Sequence, residues 1–179
     1  DRINLAFIGA GNMGCIDVKR FMKDNRVQVV AACDVNRQSE YQNGRLGGRD
    51  FMKQMVNEAY SKKDGKKYKS CEAYSDFRDV LRRKDIDAVE VITPDHWHSI
   101  PVLMAAAAGK DIFCQKPLAL TIPEGRAMSN AAKKYDVVFQ TGSQRRSDDR
   151  FRRICEIVRN GRIGEVKTVR VGLPSGTPD

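Results

Sequence analysis

Apolar and polar positions along this chain fall into two kinds of block. Short, mainly apolar runs occur at 3–8, 27–33, 86–92, 111–114 and 137–141. Each has the length and density of a strand buried on both faces. Between them lie longer stretches with a helical repeat. Residues 13–22 follow such a repeat. Ser75 can cap a helix carrying Phe77, Val80 and Leu81 on one face. Pro101 suits a first turn, the Ala105–Ala108 run a helix interior, and Gly109 its stop. Thr121-Ile122-Pro123-Glu124 is a capping box with a first-turn proline, opening a helix to about Lys134. The stretch 37–60 has helical composition interrupted by Gly44 and Gly47-Gly48. The stretch 61–67 reads as a charged loop, and 68–71 as a short further strand. Strand and helix thus alternate about six times, which predicts an α/β fold with a doubly wound parallel sheet.

The pattern changes near residue 146. A helix over 149–160 carries Phe151, Ile154, Cys155 and Val158, Gly161 to Gly164 turns the chain, and 166–173 alternates as a half-buried antiparallel strand does. The expected division is a first domain over 1–146 and, over 147–179, the beginning of a second α/β domain with an antiparallel sheet.

The first apolar run leads straight into Gly9-Ala10-Gly11-Asn12-Met13-Gly14. Strand, Gly-x-Gly-x-x-Gly and helix in that order are what a dinucleotide-binding turn needs, although a loop that simply requires φ > 0 would show the same three glycines. The first glycine permits the turn, the second lets a pyrophosphate approach the backbone, and the third lets helix and strand pack closely. The second strand ends at Asp34, twenty residues beyond Gly14, where a carboxylate accepts hydrogen bonds from an adenosine ribose. The plainer reading of Asp34 is a turn or capping residue. A carboxylate there repels a 2′-phosphate and favours NAD, whereas Arg37 could bind that phosphate or stack on adenine, which keeps NADP in view.

Composition narrows the picture. The 179 residues are 41% hydrophobic, enough for a core, and no apolar run reaches the ~20 residues of a membrane span. The net charge of +9 raises nucleic acid as a partner. The charge is scattered through Lys62-Lys63, Lys66-Lys67, Arg82-Arg83-Lys84 and Arg145-Arg146, beside acids, as solvated helix faces are, so no nucleic-acid partner is expected. The five cysteines have no C-x-x-C pairing and read as reduced small hydrophobes. No targeting segment precedes the first strand, so the expected compartment is the cytoplasm, or the periplasm if an export signal was removed.

Two further groups sit at carboxyl ends of strands, where ligands of open parallel sheets bind. Thr93-Pro94-Asp95-His96-Trp97-His98 follows the strand over 86–92. His96-x-His98 lacks an evident third ligand, so no metal site is expected. Trp97 either packs or lines a cleft. Lys116, before Pro117, either snorkels or donates a proton or hydrogen bond to a reacting oxygen, with its pKa lowered by burial. Pro117 could be cis.

The motifs Gly9–Gly14, Asp34, Thr93–His98, Gly109-Lys110, Cys114-Gln115-Lys116-Pro117-Leu118, Phe139–Ser147 and Gly161–Gly164 stand in the order seen in the glucose–fructose oxidoreductase / inositol dehydrogenase family. The chain resembles that family over nearly its whole length. The resemblance implies a Rossmann domain binding NAD or NADP, then a larger second domain that supplies much of the sugar pocket, a catalytic histidine and the homo-oligomer interface. It assigns the pyrophosphate loop to Gly9, Gly11, Asn12, Met13 and Gly14, and the ribose contact to Asp34. Thr93, Pro94, Asp95 and His98 would flank the ribose and nicotinamide, and Lys116 would be the catalytic lysine. Two positions depart from the family: Gln115 stands where Glu is usual, and Asp95 where Asn is common. The expected activity is hydride transfer between nicotinamide and a sugar, polyol or related carbohydrate, with this stretch inactive by itself. The alternatives are a redox-assisted glycosidase and a non-catalytic cofactor-binding subunit.

Overall fold

The computed structural model describes residues 2–41, 44–65 and 70–172. The chain falls into two compact units, Asp1–Gly142 and Ser143–Asp179. In the first, β1 (Ile3–Ile8), β2 (Val27–Cys33), β5 (Glu72–Tyr74), β6 (Ala88–Val91), β7 (Asp111–Cys114) and β8 (Phe139–Thr141) form one sheet in the order β5-β2-β1-β6-β7-β8. All its pairings are parallel. The chain therefore builds outward from β1 in one direction, then returns and builds outward in the other. The reversal lies between β1 and β6, which is where a doubly wound sheet opens a crevice.

The mainly apolar runs follow from burial on both faces. Side chains alternate across a strand, so Ala6 and Ile8 enter one core with Val89, Val91, Ile112 and Cys114. Leu5 and Phe7 enter the other with Val18, Val29, Met52 and Val56. Helices α3 (Phe77–Arg82), α4 (Ser99–Ala107) and α5 (Ile122–Lys134) contribute to the first core; α1 (Asn12–Phe21) and α2 (Arg49–Asp64) contribute to the second. The ends of α4 and α5 are as expected. Gly109 N donates to Ala106 O and Lys110 N to Ala105 O, closing α4, while Thr121 and Glu124 form the reciprocal cap of α5.

Several local expectations are corrected. The region read as helical from residue 37 begins instead with an antiparallel hairpin, β3 (Ser39–Tyr41) and β4 (Arg45–Gly47), and α2 starts only at Arg49. Gly48 has φ +103, and a Cβ there would lie 2.6 Å from Arg37 O. That backbone state breaks the helix before it starts. The charged stretch read as a loop is helical through Asp64, with Lys62 and Lys63 in the last turn, where cations complement the helix dipole. Lys66 and Lys67 lie outside the described residues. The strand expected over 68–71 forms at Glu72–Tyr74; residues 68 and 69 lie outside the described residues. Cys71 takes no part because the Asn57 side chain already pairs with both its N–H and its C=O, at 3.1 and 3.2 Å. The cap of α3 is Asp76 rather than Ser75, accepting from Arg78 N at 2.8 Å. The strands expected over 86–92 and 137–141 are trimmed to Ala88–Val91 and Phe139–Thr141.

In the second unit, α6 (Asp149–Arg159) starts at its Asp148 cap. Its apolar stripe is open, with Phe151, Ile154 and Val158 exposed. Of the stretch 166–173, read as a half-buried strand, residues 166–172 are exposed and outside any ladder, and Leu173 lies outside the described residues. A strand exists through its partner's N–H and C=O groups, and none is paired with this stretch among the described residues.

Candidate functional site

A cleft of about 730 Å³ opens at the carboxyl ends of the strands, within the first unit. Its first wall is largely main chain. Gly9 has φ +108, and a Cβ there would sit 2.6 Å from Ile92 O. A Cβ on Gly14 would run into the Gly9 carbonyl oxygen. The close approach of α1 to β1 therefore requires Gly14, and the close passage of the chain after β6 requires Gly9. Gly11 begins α1 without any side-chain cap, so the first-turn N–H groups beside the cleft remain available to an anion. Gly9, Gly11, Asn12 and Met13 line the cleft, and Gly14 is buried behind them.

Asp34 lines the same wall. Its Oδ2 accepts from Ala10 N at 2.7 Å and its Oδ1 from Asn36 N at 2.9 Å. The acid thus has a job within the protein, bracing the glycine turn, and a carboxylate's remaining lone pairs can still accept from a ligand hydroxyl. The hairpin lies against this turn. Gly48 N donates to Ala10 O at 2.7 Å, Arg45 Nη1 to Asn12 Oδ1 at 3.3 Å, and Tyr41 lines the cleft.

The second wall is built from side chains on the loops after β6 and β7. Thr93, Pro94, Asp95, His96, Trp97 and His98 line it, with Gln115 and Lys116 facing the same space. Asp95 to Trp97 form a single 3₁₀ turn. His98 is buried beneath it and ties the two loops together. Its Nδ1 lies 2.7 Å from Pro117 O and its Nε2 2.8 Å from Thr93 O, so neither nitrogen is turned out as a metal ligand. The Lys116–Pro117 bond is cis. Lys116 itself is exposed. The burial expected to act on its amine is not there.

Arg37 does not line the cleft; its guanidinium pairs with Asp50 at 3.2 Å on the exposed surface. Sequence reasoning missed the hairpin's Tyr41 and the Asp76-Phe77-Arg78 group after β5, all of which line the cleft. The crowded glycines at 44, 47 and 48 were the available signal for the hairpin. Arg78 is held to Asp76 at 3.0 Å, and its backbone N–H is the main cause holding the Asp76 carboxyl below its ordinary range. The cysteines are free, and all but Cys155 are buried. Burial pushes the thiols of Cys33, Cys71 and Cys114 up to about 12, as suits inert core residues. No helix among the described residues is long and apolar enough to cross a membrane.

These residues can hold a dinucleotide. The uncapped helix start suits a pyrophosphate, and the absent side chain at Gly11 leaves the approach open up to Tyr41 Oη, 3.0 Å from where a Cβ would be. Thr93 Oγ1 is buried at the opposite wall with no partner among the described residues. A buried hydroxyl without a partner is costly, and a bound ligand would supply one.

Comparison with known proteins agrees with this geometry. Residues 3–143 match the model of the oxidoreductase family with the NAD-binding Rossmann fold. The myo-inositol 2-dehydrogenase of Thermotoga maritima is 37% identical over 99 residues, which cover 55% of this chain and 30% of that protein. The scyllo-inositol 2-dehydrogenase (NAD(+)) of Bacillus subtilis is 37% identical over 87 residues, 49% of this chain and 26% of that protein. The crystal structure of scyllo-inositol dehydrogenase from Lactobacillus casei with bound NAD(H) and scyllo-inositol superposes with a TM-score of 0.69 at 26% identity, over 92% of this chain and 43% of that one. The chain spans less than half the length of each of these proteins. Over its first 143 residues fold, glycine turn and family model coincide, and the chain belongs to the NAD-binding Rossmann-fold oxidoreductases of the glucose–fructose oxidoreductase / inositol dehydrogenase family.

Proposed function

We propose that this chain is the cofactor-binding part of an NAD-dependent dehydrogenase that acts on a sugar, polyol or related carbohydrate. The observation that carries the reading is the glycine turn opening onto a cleft at the reversal of the sheet, with Lys116 on the facing wall. Gly9, Gly11, Asn12 and Met13 would cradle the pyrophosphate on main-chain N–H groups, and Asp34 would accept from the adenosine ribose. Thr93, Pro94 and Asp95 would border the nicotinamide end, with His98 fixing their loop from behind. When bound, the nicotinamide supplies a hydride acceptor or donor. Lys116 would donate a hydrogen bond to the substrate oxygen and steady the charge that develops there as the hydroxyl proton passes to a base supplied by the substrate domain. The inositol dehydrogenases among the relatives favour a polyhydroxylated substrate. A substrate domain and an oligomer interface would come from sequence outside the first unit.

NAD is favoured over NADP for an electrostatic reason. Asp34 and Asp76 both line the cleft and would border the adenosine, Arg37 is turned away to Asp50, and Arg78 is already held by Asp76. Trp97, the one tryptophan of the chain, lines the cleft and supplies the test. Titration with NADH should quench its fluorescence and sensitise nicotinamide emission, and NAD should compete the signal away. A chain that is folded by circular dichroism yet shows neither change would end this reading.

A further inference from the structure

The least expected residue in the molecule is Glu90. It sits in the middle of β6, where both faces of the sheet are covered, and its exposure is 0%. Its register partners are Phe7 on β1 and Phe113 on β7. Both of those rings pack edge-on against Phe21 of α1, with centroids 5.9 and 5.8 Å away. Neither carboxyl oxygen of Glu90 has a donor among the described residues. Asp17 of α1 is also buried. Its Oδ2 accepts from Gln115 Nε2 at 2.6 Å and its Oδ1 from Arg20 Nη1 at 2.8 Å. The two donors in the cluster therefore serve Asp17, and an ionised Glu90 would face only aromatic rings and another carboxylate.

One proton resolves this. On Glu90 it provides the missing donor, and the acceptor beside it is Asp17. We propose that Glu90 donates a hydrogen bond to Asp17, and that this buried carboxyl–carboxylate pair positions Lys116 through Gln115. The chain of contacts is continuous. Gln115 turns its amide nitrogen to Asp17 and its Oε1 to Lys116 N, 3.1 Å away. Gly142 closes the space behind it, since a Cβ there would lie 2.9 Å from Gln115 Oε1. The arrangement also gives a physical reason for glutamine at 115: a glutamate could not donate to Asp17, and like charges would meet in the core. Glu90, Asp17 and Gln115 are positioning residues, and Lys116 is the group they present to the cleft.

The titratable surroundings agree. Burial, then the neighbouring Asp17, pushes the Glu90 carboxyl up to about 9, with Arg20 on the same helix pulling the other way. Cys114 of β7 lies in the core on the other face of the sheet; its thiol is raised first by burial and then by Glu90 once that carboxyl is ionised. The pair thus holds one negative charge rather than two, and Arg20 at the surface answers it.

The positioning role rests on the proposed role of Lys116, and the test keeps the two apart. Infrared difference spectra of this chain against Glu90→Gln at neutral pH should show the carbonyl band of an un-ionised carboxyl, fading above about pH 9. Only an ionised carboxylate at neutral pH would overturn the pair whatever Lys116 does. In the complete enzyme, Glu90→Gln restores a neutral donor and should keep most of the turnover. Glu90→Leu, which fits the aromatic surroundings without a donor, should lower kcat about tenfold or more with cofactor Kd changed little, as misplacement of a reacting group does. The comparison is made at temperatures well below both melting points, so that loss of folding does not mimic loss of position. Turnover of Glu90→Leu equal to wild type would overturn the positioning role, and so would a Lys116→Ala enzyme that works normally. In that last case the infrared band would persist, and the fault would lie with the reading of Lys116.

Discussion

The two walls of the cleft are made in different ways. The β1–α1 wall is main chain: its geometry comes from Gly9 and Gly14, where side chains have no room, and from one acid, Asp34, that braces the turn. The β6–β7 wall is side chain. Its loops are tied by His98 from behind, and the Gln115-Lys116 segment rests on a carboxyl cluster in the centre of the sheet. The first wall suits a ligand group that is always the same, a diphosphate. On the proposed reading the second would present the Lys116 amine to a reacting oxygen, which needs adjustable groups with support underneath.

The comparison predicts that damage to the first wall appears as lost fold and lost binding, and damage to the second as lost turnover. The largest effect should come from Gly14→Val. Its new carbons would collide with the Gly9 carbonyl, with Met52 Cε 3.2 Å from the first of them. Overpacking of this kind costs about 3 kcal/mol or more, and urea unfolding together with NADH titration should show both losses at once. Next is Lys116→Ala in the complete enzyme. Because the side chain is exposed, stability should hold and cofactor affinity change little. Turnover should fall by about 10²–10⁴, the usual span for a positioned proton donor. Unchanged turnover removes the lysine from the mechanism.

A third probe works through pH. Glu90 has an ordinary value of 4.5 and is pushed up to about 9 in the folded chain. Between those limits the folded state holds more protons than the unfolded one. Its stability contribution is complete below about 4.5 and is lost as pH rises through about 9. The slope is at most about 1.4 kcal/mol per pH unit. Glu90→Gln should flatten that slope and be more stable than wild type at pH 8, as read by urea unfolding; equal slopes would mean that Glu90 is ionised in both states. The smallest effect should come from Asp34→Ala. Losing the bond to Ala10 N at 2.7 Å costs about 1.5–3 kcal/mol for a charged acceptor, and NAD binding should weaken more than NADP binding. Asp34→Asn keeps an acceptor for Ala10 and should recover most of the stability. Equal losses of the two cofactors in Asp34→Ala would count against the ribose assignment.

The first wall was legible in the chain itself because its requirements are local. Three glycines at fixed spacing, an apolar run before them and an acid at the end of the next run state the turn almost completely, and the observed β1, α1 and β2 follow. The capping box at Thr121 was legible for the same reason: the residues that bond are three apart. The hairpin was not, because Gly48 is required by the backbone of Arg37 and Gln38, a contact that composition does not display. Nor was Arg37's departure from the cleft, which depends on where α2 places Asp50.

Sequence alone thus determined the alternating fold, the family, the glycine turn and the strand ends where Asp34, Thr93 and Lys116 fall, since periodicity and short-range spacing carry that information. Tertiary structure decided which of those groups face one another. Asp17 and Gln115 are separated by 98 positions yet share a hydrogen bond, and the sheet register sets Glu90 between Phe7 and Phe113, near enough to feel the charge of Asp17. A buried carboxyl reads in sequence as a surface residue in the wrong place. Its meaning comes from partners that the fold alone selects, because burial raises the cost of an unpaired charge until one arrangement of protons is left.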